Sequence, residues 1–240
     1  RDDTVVIFTT DHGSSGTRAK GTLYDQGTEL SLLVRAPWLD PGGRSEHALL
    51  QNMDVAPTLL DIAGIPTPRN MHGRSFWPLI TGQPYSSHPH IFLERNFHDV
   101  DVRDLMRACR SDEYLYILNL EPDAKEEWRH TESVPLRGEY ESWFSEMWPP
   151  LTRPRPREEL YDVVNDPRQV TNLADDPRYA DQLDHWGRQV REYMQRTQDP
   201  ALDGEVYSVN MLEQAAGRRW RWKHEAPCEP IPTSTAPSRL

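Results

Sequence analysis

Residues 2–13 read Asp2-Asp3-Thr4-Val5-Val6-Ile7-Phe8-Thr9-Thr10-Asp11-His12-Gly13. The run 4–9 is β-branched and apolar with little alternation, the composition of a strand covered on both faces in an α/β sheet. At its C-terminal end, the edge where open α/β sheets bind ligands, a carboxylate and an imidazole stand side by side. Both side chains can reach a divalent cation, and Gly13 lets the backbone turn away. An Asp-His pair alone is weak evidence, because the same two residues can simply cap the loop that follows.

Residues 14–28 are polar and Gly-rich, which predicts a loop. Lys20 lies on it, nine residues past Asp11. There it can project positive charge over the same edge and hold an anionic group; Arg18 is a second candidate. Ordinary solvated charge is the competing reading of both. A short buried strand is predicted over 30–34, closed by Arg35-Ala36-Pro37, and Pro41-Gly42-Gly43 marks a turn. Residues 54–63 predict a helix. Asp54 is its cap, Pro57 sits in its first turn, and Val55, Leu59, Leu60 and Ile62 give it an apolar side, with Gly64 just past its end. A turn and short helix follow over 73–80, with Arg74 read as a packing residue. The composition changes at 84–89, where a subdomain boundary is expected.

The second part has a different texture. A strand is predicted over 91–94 and a hairpin over 105–109 and 114–118. Residues 121–158 form a long Pro- and Trp-rich loop, whose Trp143 and Trp148 suit packing or sugar stacking. An edge strand follows over 159–162. A helix starts at Asp176-Pro177 and runs to about residue 197 with Leu183, Trp186, Val190, Tyr193 and Met194 on one face. His98-Asp99, with Arg95 and Arg107, would make a polar recognition patch, a mixed-charge surface loop being the alternative. The expected organisation is an α/β portion over 1–88, a small antiparallel α+β subdomain over 89–210 and an irregular tail over 211–240.

The charge balance narrows the function classes. There are 27 Lys+Arg against 38 Asp+Glu, a net charge of −11, so no basic excess exists to neutralise nucleic-acid phosphates. An acidic substrate in a local basic pocket remains compatible. No apolar run approaches the roughly 18 to 20 residues that cross a bilayer. Two cysteines, Cys109 and Cys228, exclude a dense disulfide framework; one bridge is open, and nothing requires it. The P-loop, the dinucleotide fingerprint, His-Glu-x-x-His, Gly-x-Ser-x-Gly and Cys-x-x-Cys are all missing, as is any Asn-x-Ser/Thr acceptor.

Five blocks in order resemble the C-terminal half of a sulfatase of the alkaline-phosphatase-like superfamily. They are residues 2–13, then 20–25 with 32–37, then Asp54-Val55-Ala56-Pro57-Thr58-Leu59-Leu60-Asp61-Ile62-Ala63-Gly64, then 73–79, then Glu159-Leu160-Tyr161-Asp162 through Asn172-Leu173-Ala174. The fold class this implies is α/β, the C-terminal part of a sulfatase sheet-and-helix core with an antiparallel α+β subdomain after it. Tyr24-Asp25-Gln26-Gly27-Thr28-Glu29, together with His98-Asp99-Val100 running to Met106-Arg107, is similar to the N-sulfoglucosamine sulfohydrolase group. The resemblance implies Asp11 and His12 as metal ligands, calcium being the expected divalent cation. It implies Lys20 as the catalytic cation over the sulfate and its bridging atom, and His98 and Asp99 as contacts to a glucosamine unit.

Three residues depart from the family pattern. His12 stands where many sulfatases have Asn, and it points to phosphonate and phosphodiester hydrolases of the same superfamily as an alternative. Lys20 is the usual sulfatase residue where the sulfohydrolase group carries Arg. Asp99 is shorter than that group's Glu. Neither cysteine lies in the Cys-x-Pro-x-Arg block whose cysteine becomes formylglycine, the nucleophile. The nucleophile and the remaining metal ligands are therefore expected upstream of Arg1, on a missing N-terminal half that would be the first partner. The 240 residues alone are expected to be inactive. Without that nucleophile, a non-catalytic carbohydrate-binding module is a further alternative. The implied ligand is a sulfated sugar; neither nucleic acid nor membrane is expected, and homo-oligomerisation is open.

Overall fold

The computed structural model describes residues 2–15, 18–39, 43–98, 102–122, 155–204 and 206–207. Strand β1 (Val6–Thr9) pairs antiparallel with β2 (Leu32–Arg35), Val6 opposite Arg35 and Thr9 opposite Leu32. Between them lies a one-turn helix, α1 (Asp25–Thr28), inside the stretch expected to be loop. The apolar composition of β1 predicted cover on both faces. Instead Val6 is 49% exposed and Phe8 54%; among the described residues β1 lies in a two-stranded sheet with β2, with no layer packed over these side chains.

The helix expected over 54–63 is α2 (Val55–Ile62), preceded by a 3₁₀ turn at Asn52–Asp54. Gly64 follows in the left-handed conformation (φ 67°) that a residue past a helix end favours. Asp54 does not cap α2 as expected. Its fully buried carboxylate accepts from the backbone amides of Gln51 (2.8 Å) and Arg74 (2.7 Å), and His88 Nε2 lies 2.9 Å away. It thus ties the start of α2 to the 73–80 turn and to the 84–89 stretch. Thr58 completes this knot, donating to the Asp54 carbonyl (2.6 Å) and accepting from the buried Phe76 amide (3.0 Å). Helix α3 (Trp77–Ile80) follows with Pro78 in its first turn.

The second sheet is four-stranded and antiparallel, in the order β3 (His90–His98), β4 (Val102–Ser111), β5 (Tyr114–Asn119), β6 (Glu158–Asp162). The β4–β5 hairpin is the expected one; β3 and β4 extend beyond their predicted bounds. Strand β6 forms an edge, and its outer side is covered rather than bare. The Leu160 amide donates to Asn172 Oδ1 (2.9 Å), and the Leu173 amide donates to the Leu160 carbonyl (2.8 Å). After a 3₁₀ turn capped by Asp176, helix α4 (Ala180–Arg196) lies across one face. Val190 and Met194 are packed there with Leu105, Cys109, Tyr116, Leu118 and Leu160.

Strand alternation assigns Met106, Ala108, Leu115, Ile117 and Tyr161 to the opposite face. These residues pack against Leu23 and Tyr24. The segment carrying Lys20 therefore covers that second face, as α4 covers the first. Residues Arg1–Val206 make one compact unit. The tail expected over 211–240, Trp143 and Trp148, and Cys228 lie outside the described residues. Among the described residues, no helix is long and apolar enough to cross a membrane.

Candidate active site

Thr10 leaves β1 and delivers Asp11 and His12 to its C-terminal end. Asp11 is almost fully exposed, and His12 is part-buried. His12 Nδ1 lies 2.8 Å from the Gly13 carbonyl oxygen. A carbonyl can only accept, so Nδ1 is the donor in this contact, and in the neutral tautomer that leaves the lone pair on Nε2. That Nε2 is 3.7 Å from Asp11 Oδ1. A carboxylate beside an imidazole whose other nitrogen is anchored to a carbonyl is a donor set that fits a divalent cation. It is a partial set: among the described residues, no three His, Cys, Asp or Glu side chains are gathered to hold an ion.

Backbone hydrogen bonds fold this end against the lysine segment. The Gly13 amide donates to Gly27 O (2.9 Å), Ser14 N to Gln26 O (2.8 Å) and Lys20 N to Ser14 O (3.1 Å). The approach is close enough that a Cβ on Gly27 would meet the Ala19 carbonyl oxygen at 2.1 Å. Arg18 adopts φ 59° and Gly21 φ 83°, so Lys20 sits between two left-handed residues. The outcome is an exposed Lys20 on a loop whose flanks, Arg18, Ala19 and Thr22, are buried.

Arg18 is not the second projecting cation that the sequence suggested. Its guanidinium stacks over the Tyr24 ring, 3.6 Å from the centroid, and Nη1 donates to the Arg168 carbonyl (3.3 Å). The Tyr24 hydroxyl in turn donates to Glu159 Oε2 (2.7 Å). Burial and the Glu159 carboxylate both push the Tyr24 hydroxyl well above the usual phenol range, so it remains a donor. Next to it, Asp25 takes a bidentate contact from Arg110 (3.0 and 2.9 Å), and its amide donates to Gln169 Oε1 (3.0 Å). Tyr24, Asp25, Arg110, Glu159 and Gln169 were not singled out for a site by sequence reasoning. The signal available was the lack of alternation in β5, which predicts a second covered face without saying what covers it.

His98 ends β3, its backbone opposite Val102, and Asp99 lies outside the described residues. Two residues expected beside them are committed to other partners. Arg107 is buried, and its Nε and Nη2 donate to the Asp199 carboxylate (2.5 and 2.8 Å). Arg95 is buried on Asp104 (2.9 Å), which also pairs with Arg155. An open patch built from Arg95 and Arg107 is therefore not what the chain forms.

Comparison with known proteins agrees with this architecture. The chain is 27% identical over 233 residues to an ulvan-active sulfatase of Formosa agariphila, covering 96% of this chain and 45% of that protein. It is 28% identical over 226 residues to human N-sulphoglucosamine sulphohydrolase, covering 82% and 43%. A putative sulfatase structure from Bacteroides thetaiotaomicron superposes with a TM-score of 0.65 at 25% identity, over 86% of this chain and 39% of that one. The likenesses in sequence and in fold are to sulfatases and support a C-terminal sulfatase portion of the alkaline-phosphatase-like superfamily. Within that class, residues 13–128 match the family described as N-sulphoglucosamine sulphohydrolase, C-terminal. The chain spans less than half the length of these relatives.

Proposed function

We propose that this chain is the C-terminal portion of an enzyme that hydrolyses a sulfate ester or sulfamate, on an N-sulfated glucosamine or a related sugar. One observation carries the reading. Asp11, His12 and the exposed Lys20 are drawn into one fold of backbone at the end of β1 by the Gly13–Gly27, Ser14–Gln26 and Lys20–Ser14 hydrogen bonds.

In this reading Asp11 and His12 Nε2 would hold a divalent cation, calcium being the expected one, together with ligands from outside these residues; the cation would supply positive charge to the sulfate oxygens, and a formylglycine, also from outside, would supply the nucleophilic oxygen. Lys20 supplies a cation that needs no partner within the fold. Its ammonium offsets the charge developing on the bridging oxygen or nitrogen as the bond to sulfur breaks. His12 keeps its orientation through Nδ1 and so presents the same nitrogen throughout. His98 and Asp99 bind the sugar, a carboxylate and an imidazole suiting its hydroxyl and amine groups. The N-terminal half of the same protein covers β1 and completes the site.

The test uses the full-length protein with nitrophenyl sulfate and with N-sulfoglucosamine. Lys20→Ala is expected to lower kcat by roughly 100-fold, the scale for losing one group that answers transition-state charge. Asp11→Asn is expected to lower bound metal in elemental analysis. Turnover of phosphodiesters alone, or a fully active Lys20→Ala enzyme, would sink the reading.

A further inference from the structure

Glu159 is 1% exposed, and its carboxylate is held entirely by side chains. Oε2 accepts from both the Tyr24 (2.7 Å) and Tyr161 (2.6 Å) hydroxyls, and Oε1 accepts from Asn119 Nδ2 (2.6 Å). Tyr161 and Asn119 belong to the same sheet as Glu159. Tyr24 is the one of the three donors that comes from the lysine segment, so it alone carries a Glu159 hydrogen bond off the sheet; the Tyr161 ring meets that segment by packing, edge-on to Tyr24 (5.9 Å between centroids) and 5.4 Å from the Arg18 guanidinium. The Arg18 guanidinium lies against the Tyr24 ring, and Arg18 is two residues before Lys20. A non-glycine residue rarely adopts φ 59°, so Arg18 keeps it through surrounding contacts. Thr22 adds to them by donating to the Ala19 (2.8 Å) and Arg18 (3.3 Å) carbonyls.

We propose that Tyr24 and Glu159 form a positioning clamp for Lys20: the buried carboxylate fixes the Tyr24 ring, the ring fixes Arg18, and Arg18 sets the backbone that aims the ammonium. Neither residue touches substrate. The inference rests on Lys20 being the catalytic cation. It adds that the α+β sheet is the platform on which that cation is aimed. The Arg110–Asp25 and Gln169–Asp25 contacts dock the segment independently, so loss of one hydroxyl leaves it folded and shifts only its aim.

The two tyrosines provide a matched pair. Tyr24→Phe and Tyr161→Phe each delete one hydroxyl donor to Glu159 Oε2, of nearly equal length, and each keeps its ring. Thermal unfolding of the full-length enzyme is expected to shift by similar amounts in both. Nitrophenyl sulfate turnover is expected to separate them. Tyr24→Phe lowers kcat roughly tenfold, a fraction of the penalty for an ångström of misplacement, and Tyr161→Phe stays within twofold. Placed on Lys20→Ala, Tyr24→Phe is expected to have no further effect on kcat, because residues acting through one another are not additive. Equal losses of kcat in the two tyrosine variants, or a full Tyr24→Phe loss persisting without Lys20, would overturn the clamp while leaving Lys20 catalytic. A Lys20→Ala enzyme with undiminished kcat would overturn both.

Discussion

Arg107 points from β4 toward the helix face of the sheet and ends on Asp199, just past α4. Its Nη1 donates to the Arg95 (3.1 Å) and Met106 (2.8 Å) carbonyls. Hydrogen bonds from Arg107 hold the Asp199 carboxyl below the usual carboxylate range. A carboxylate whose folded value is depressed contributes stability that is full above the unfolded value, near 4, and is lost as pH falls through the folded value. Asp199→Asn is thus expected to cost about 3 kcal/mol at neutral pH, because it strands a buried guanidinium, and to flatten the acid limb of a urea-denaturation pH series. At this scale the sequence was only partly legible. Asp11, His12 and Lys20 could be picked out as candidates because each stands next to a strand end or a glycine. Arg18, Arg107 and Asp54 were given other roles, since the contacts they make depend on partners 6, 92, and 20 to 34 positions away.

The elements that read best are those whose signals are local. Gly64 ends α2, Asp176-Pro177 opens the turn into α4, and the 3.6-residue spacing of α4 names Val190 and Met194 as its buried side. Met194→Ala is expected to cost 2 to 5 kcal/mol, roughly the range for a large-to-small change in a closed core, read as a drop in the denaturation midpoint. Helix α1 was missed because four residues carry too little periodicity to register. It depends on tertiary contact at Gly27, where only hydrogen fits beneath the Ala19 carbonyl. Gly27→Ala is expected to displace residues 18–28 and to cut kcat of the full-length enzyme more than tenfold, by the misplacement argument already applied to Lys20. A far-ultraviolet spectrum showing an intact sheet and α4 alongside that loss would place the damage in the loop.

For the whole molecule, the unmet expectation concerns β1. Its composition describes a strand inside a sheet, yet Val6, Phe8 and the facing Leu33 are about half to two-thirds exposed. The composition fits a buried strand, and no cover for β1 lies among the described residues. Phe8→Ser is therefore expected to leave the unfolding midpoint of the 240-residue chain unchanged. In the full-length protein it is expected to cost roughly 1.5 to 3 kcal/mol, the value of burying a large apolar side chain. Equal effects in both would mean that β1 is exposed in the whole protein as well. The segment over 18–28 is the opposite case, polar and Gly-rich in sequence yet seated on a sheet face through Leu23 and Tyr24. Its amides should therefore not behave as loop amides in deuterium exchange. Those of Gly27 and Thr28, bonded to the Tyr24 carbonyl, are expected to open together with the β4–β5 hairpin as one cooperative unit. Warming the protein would then release the lysine and melt the sheet in the same event.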